Sequence, residues 1–174
     1  MKNKSILITM LETAIMIALA VVLSFVKVWE MPQGGTISLT MLPLFLLAFR
    51  RGPWAGIIGG VIYGVISIIY DGVIYHPLSI LLDYTLAYGL LGVAGFFKKN
   101  YTGIILGTVV GTALRYLCSL LSGAVLFAEY APVGQNPWVY SLGYNATYMV
   151  PELIICVMVL VVLFKQAKKL FEVK

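Results

Sequence analysis

Charged residues are scarce along this chain and fall in clusters, and the stretches between clusters are apolar for about 20 residues at a time. A segment of that length crosses a bilayer only if its backbone satisfies its own hydrogen bonds, so a non-alternating apolar run selects a helix. Charged residues are 11% and hydrophobic residues 61% of the 174 positions, against a charged share of about 25% in soluble domains, which excludes a water-soluble fold. The runs divide at charged, proline and glycine clusters and predict spans near 5–27, 37–49, 53–70, 78–97, 103–127 and 139–164. Six spans of ~22 residues use ~132 positions, so residues 1–174 read as a single six-helix membrane domain, all-α in class. The second run, about 13 residues with Pro43 inside, would by itself fit either a re-entrant segment or a short, tilted helix. Lys2 and Lys4 precede the first run as in a secretory signal, but the run is too long and no small-residue cleavage site follows, so it reads as a retained span.

Orientation follows from the basic residues. With the N-terminus in the cytoplasm and six crossings, Lys2, Lys4, Arg50, Arg51, Lys98, Lys99, Lys165, Lys168, Lys169 and Lys174 share one side, which is ten of the twelve. Lys27 and Arg115 are the exceptions, and five crossings would scatter the clusters over both faces. Both termini are therefore expected inside. The net charge of +5 belongs to these helix ends and forms no aromatic-interleaved patch, so nucleic acid is not an expected partner; the lipid bilayer is. Three outward connections remain, Trp29 to Thr36, Asp71 to Pro77 and Ala128 to Trp138. Trp29, Tyr70, Tyr75, Tyr130, Trp138 and Tyr140 gather near them, where an interfacial aromatic belt is expected regardless of function.

Glycines recur every fourth residue at Gly52, Gly56, Gly60 and Gly64, and again at Gly103, Gly107 and Gly111, followed by Gly123. Such stripes let helix backbones approach closely and read as internal packing. Ala14 and Ala18 repeat the spacing in the first span; spacing alone favours packing within the monomer over a groove for another protein's helix.

Glu12, Asp83, Arg115, Asn145 and Glu152 cost free energy where they stand, so each carries a functional hypothesis. Arg115 lies about 12 residues into its span, ~18 Å along the axis, and needs a partner or a cavity; an ion pair with Asp83 is the expected neutral arrangement. Arg115, Ser119 and Gly123 share a broad helix face, flanked by Tyr116 and Phe127. Tyr140, Tyr144 and Tyr148 repeat at four, while Asn145, Tyr148 and Glu152 bring amide, phenol and carboxylate together, and Pro151 between them is expected to kink the helix. With Asp83 and Tyr84, these residues predict a small-ligand pocket toward the outer half of the bundle. Aromatic faces beside an acid suit a flat, cationic heteroaromatic ligand. Catalysis finds no support: His76 sits in an outward loop before Pro77, and no nucleophile, phosphate-loop or metal-ligand pattern occurs, so no cofactor or metal is expected. Cys118 and Cys156 lie inside apolar runs and define neither a disulfide framework nor a metal site.

Across nearly its whole length the chain resembles the thiamine-specific S component of energy-coupling factor (ECF) vitamin transporters. The resemblance rests on LETAIMIALAVVLS from Leu11, MPQGG at 31–35, FRRG at 49–52, LLDY at 81–84, LRY at 114–116, SGAVLF at 122–127 and YSLGYNATYMVPE at 140–152. It implies a six-helix protein of the bacterial plasma membrane, without an ATPase of its own, that captures vitamin outside and pairs with a shared membrane subunit and two ATPase subunits. In that family the first-helix AxxxA contacts the shared subunit, which assigns Ala14 and Ala18 to docking. Asp83 and Tyr84 match an acidic–tyrosine pair, Arg115 a basic position, and Tyr140 and Asn145 a tyrosine and an asparagine of the last helix. Ser119 and Phe127 stand where thiamine-binding members carry histidine and tryptophan, and Gly34 where a first-loop tryptophan aligns, with Trp29 or Met31 available to cover the pocket instead. The reduced stacking area makes a thiamine analogue or precursor an alternative ligand.

Overall fold

Asparagine or proline starts each of the helices that follow residue 52. The Asn100 side chain accepts the Gly103 N–H at 2.7 Å, the Asn136 side chain accepts that of Trp138 at 2.9 Å, and Pro53, Pro77 and Pro137 occupy first-turn positions where no backbone donor is missed. The computed structural model describes residues 2–72 and 76–172, with side chains from residue 4 onward. Tyr75, Lys174 and the Lys2 side chain, read above as belt and topology residues, lie outside the described residues. Helix α1 is Lys2–Ser24, followed by an antiparallel hairpin of β1, Trp29–Glu30, and β2, Thr36–Ile37, pairing Trp29 with Ile37 and Glu30 with Thr36. Then come α2 Met41–Arg51, α3 Pro53–Asp71, α4 Pro77–Phe96, α5 Tyr101–Val125 and α6 Pro137–Gln166, with 3₁₀ turns at Ala128–Tyr130 and Lys168–Phe171. α6 continues through Pro151 as one 30-residue helix. Helices α1, α3, α4, α5 and α6 are long and apolar enough to cross a membrane.

The second apolar run crosses differently. From β2 the chain dips into the bundle as an irregular stretch, with Ser38 and Thr40 buried, and the Ser38 hydroxyl donates to Glu152 at 3.3 Å. Glu152 lies fifteen residues into α6, roughly 22 Å from its start, so α2 begins deep and its 11 residues need span only about 16 Å more. Irregular backbone at that depth is tolerated because protein surrounds it. Met41, Leu44, Leu47 and Ala48 have no exposure, so α2 is apolar all round because it is buried all round.

At the far end of α2, Arg50 and Arg51 both donate to Glu12 of α1, Nε to Oε2 distances being 2.8 and 2.5 Å. Arg50 also donates to the carbonyls of Lys169, Leu170 and Glu172, and the Lys99 ammonium donates to the Arg50 carbonyl at 3.2 Å. Phe171 folds back against Phe49 and Phe164. The basic clusters thus collect at one end of the bundle, and the chain passes between this end and the hairpin end six times.

The glycine stripes pack internally except at Gly52, which turns the chain between α2 and α3 at φ +91° and meets no neighbour. A Cβ at Gly60 or Gly64 of α3 would strike the backbone carbonyl of Tyr88 or Tyr84 on α4. At Gly111 of α5 it would come within 2.8 Å of the Phe45 ring on α2. Helix α4 is itself irregular, π-helical over Ile80–Leu86 and 3₁₀ over Leu91–Phe96.

Candidate ligand-binding cavity

Between the hairpin, the end of α3 and helices α4, α5 and α6 lies a cavity of about 310 Å³. Asp83 and Tyr84 reach it from α4, Arg115, Ser119 and Gly123 from α5, Phe127 from just beyond α5, and Tyr140, Tyr144, Asn145 and Tyr148 from α6. Two predicted residues do not. Tyr116 is rotated off the Arg115 face, and its hydroxyl donates to the Leu142 carbonyl at 2.7 Å. Trp29 is 62% exposed, outside the cavity lining, while its neighbour Glu30 lines the mouth, because successive strand side chains point to opposite faces.

The floor is built on Arg115, which is buried and paired with Glu152 at 3.1 Å. Its Nη2 donates to the Tyr88 hydroxyl at 3.2 Å, and its guanidinium carbon stands 4.5 Å from the Tyr88 ring centre. The expected Asp83–Arg115 ion pair is therefore replaced by Arg115–Glu152. Depth explains the change: Asp83 lies six residues from the start of α4, about 9 Å, whereas Arg115 lies ten residues from the end of α5, about 15 Å. Asp83 is level instead with Ser122, whose hydroxyl donates to it. Asn145 donates to the Ser141 carbonyl at 2.9 Å and accepts the Tyr148 hydroxyl at 2.6 Å, which orients amide and phenol together.

The mouth is covered by the hairpin. In MPQGG the Met31 N–H donates to the Gly35 carbonyl at 2.9 Å, and Gly34 and Gly35 turn the chain at φ +86° and +95°, angles that side chains with a Cβ rarely adopt. The Gln33 N–H donates to the Tyr144 hydroxyl at 2.9 Å, that hydroxyl donates to the Gly34 carbonyl at 2.9 Å, and the Tyr140 hydroxyl donates to the Gln33 side-chain oxygen at 2.7 Å. Beside them the Lys27 ammonium bridges Glu30 at 2.8 Å and Asp71 at 3.1 Å. The Glu30 hydrogen bond holds the Lys27 pKa above the ordinary lysine value; burial opposes this and Asp71 adds to it.

Sequence reading had not placed Glu30, Gln33, Asp71 or Tyr88 at the cavity. Tyr88 carries a signal, standing four residues after Tyr84; Glu30 and Gln33 flank Met31 in the loop expected to cover the pocket, and Asp71 lies in a stretch read as a connection. His76 caps the first turn of α4, its Nδ1 accepting the Leu78 N–H at 3.1 Å. Ala14 and Ala18 share no surface with the cavity: together with Ile58 and Ile62 of α3 they line a separate apolar groove of about 900 Å³.

The chain is similar to known proteins over nearly its whole length. Residues 10–172 match the thiamine transporter protein family (Thia_YuaJ). The thiamine transporter ThiT of Bacillus subtilis is 39% identical over 99% of this chain and 98% of its own length, and that of Lacticaseibacillus paracasei 30% identical over 100% and 95%. Among solved structures, ThiT of Listeria monocytogenes superposes with a TM-score of 0.88 at 26% identity, covering 97% of this chain and 100% of that one. The S component of a bacterial ECF transporter gives 0.67 at 21% identity over 97% and 98%, a likeness of fold. With its apolar helices and near full-length matches, this chain is a multi-pass protein of the bacterial plasma membrane and belongs to the thiamine transporter family.

Proposed function

We propose that this chain, acting as one six-helix unit, is the substrate-capturing S component of an ECF transporter and that its ligand is thiamine. The observation that carries this reading is the charge balance of the cavity: Arg115 is neutralised by Glu152, which leaves Asp83, among tyrosines, to face a cationic aromatic ring. Tyr84, Tyr140, Tyr144, Tyr148 and Phe127 supply the walls, Ser119 and Gly123 the space, and Asn145 directional hydrogen bonds. Trp29 and Tyr116 leave the ligand-binding set. This role calls for no catalytic residue. Positive charge at the end holding Arg50, Arg51 and Lys99 supports a cytoplasmic position for that end and both termini, with the cavity mouth outside. The groove at Ala14 and Ala18 receives a helix of the shared membrane subunit, which brings the two ATPase subunits. Ser119 and Phe127 favour a second reading, a thiamine analogue or precursor with less demand for stacking.

Uptake tests the transporter reading. Cells without their own thiamine route should accumulate labelled thiamine only when this chain and the shared ECF module are expressed together. Accumulation with this chain alone, or none with both, would reject it.

A further inference from the structure

The described cavity lining contains three acids, Glu30, Asp71 and Asp83, and one base, Arg115, whose charge is taken up by Glu152. At the mouth, Lys27 contacts Glu30 and Asp71 together, so this triad keeps a net negative charge after pairing. Its two carboxylates, one from β1 and one from the last residue of α3, are clasped by the one ammonium and both line the cavity, so a ligand entering from the hairpin end passes beside them. Both are substantially exposed, at 59% and 44% of their side-chain surface, so they act through a field that salt can screen rather than through a buried contact. A phosphoryl group brought into this cavity meets two acids at the rim and Asp83 inside, while the cation it would seek is already bound to Glu152.

We infer that the Lys27–Glu30–Asp71 triad is a specificity-determining charge filter, which admits a cationic vitamin and turns away its phosphate esters. This rests on the reading of the cavity as a thiamine site. The filter works on net charge: removing either carboxylate should weaken rejection, and removing the ammonium should strengthen it. Those opposite signs separate a charge filter from a merely structural triad, in which all three substitutions would loosen the hairpin and lower both affinities together.

The experiment is equilibrium titration of the purified protein with thiamine and with thiamine monophosphate, in wild type, Glu30→Gln, Asp71→Asn and Lys27→Gln. The readout is the ratio of the two dissociation constants, which cancels losses of folded protein. Wild type should prefer thiamine. Each carboxylate-to-amide change should narrow the ratio about three- to tenfold, Lys27→Gln should widen it, and raising salt from about 20 to about 500 mM should narrow it in wild type. Equal affinity of wild type for both ligands, or a ratio unmoved by the carboxylate variants, would overturn the filter while leaving the thiamine site standing. Absence of thiamine binding by folded wild type would overturn both.

Discussion

Arg115 and Glu152 hold opposite charges at the buried floor of the cavity, and removing one partner leaves the other uncompensated. Glu152→Gln is therefore expected to destabilise the protein by about 3–5 kcal/mol, seen as a lower midpoint of thermal unfolding in detergent, while replacing both residues with methionine restores much of the loss. An unchanged midpoint for the single variant would contradict the pair's structural role. Asp83 is different, because its hydrogen bond comes from a neutral hydroxyl and its charge remains for the ligand. Asp83→Asn should weaken binding of a cationic ligand by about 1–3 kcal/mol, measured by titration of a variant with normal thermal stability, and equal affinity would remove Asp83 from the site. At this scale the polar residues were legible because each is costly in an apolar run. Their pairing was not. Chain position gives depth only once helix starts are known, and a few residues of depth decided that Arg115 meets Glu152 and Asp83 meets Ser122.

At the scale of elements, the close approach of α3 and α4 sets where Asp83, Tyr84 and Tyr88 stand. Gly64→Leu would drive a side chain into the Tyr84 carbonyl, so it should abolish ligand binding or prevent folding, as judged by size-exclusion profile and titration; a folded variant with wild-type affinity would show that α4 is not held by the stripe. The groove along α1 makes the opposite forecast. Ala14→Leu with Ala18→Leu fills a surface apart from the cavity and should preserve ligand affinity while abolishing copurification with the ATPase module and uptake. Lost ligand binding would return these alanines to the monomer's own packing. Glycine spacing thus disclosed that α3 and α5 pack closely inside the bundle, but not on which neighbours. Hydropathy alone left the form of the second crossing open because its outer part is strand β2 followed by irregular chain from 38 to 40, sheltered by α6, and hydropathy does not distinguish sheltered coil from a short helix. The hairpin was likewise hidden, since strands of two residues are too short to show alternation.

For the whole molecule, the two ends differ in chemistry: one binds its basic residues to Glu12 and to the carbonyls of the C-terminal turn, the other surrounds an acidic, aromatic cavity with a hairpin held by Tyr140 and Tyr144. That polarity suits a protein which takes a cation from outside and presents a separate face to a partner within the membrane. The claim on which this account depends is that the cavity takes up thiamine as a unit. The most direct measurement is equilibrium titration of the purified protein, followed by tryptophan fluorescence from Trp29 on the hairpin and Trp138 at the start of α6, with thiamine and with its separate pyrimidine and thiazole halves. Saturable binding of one thiamine per chain, tighter than either half alone, is the expected result. Folded protein that shows no saturable response to thiamine, or that binds an uncharged vitamin more tightly, would contradict it.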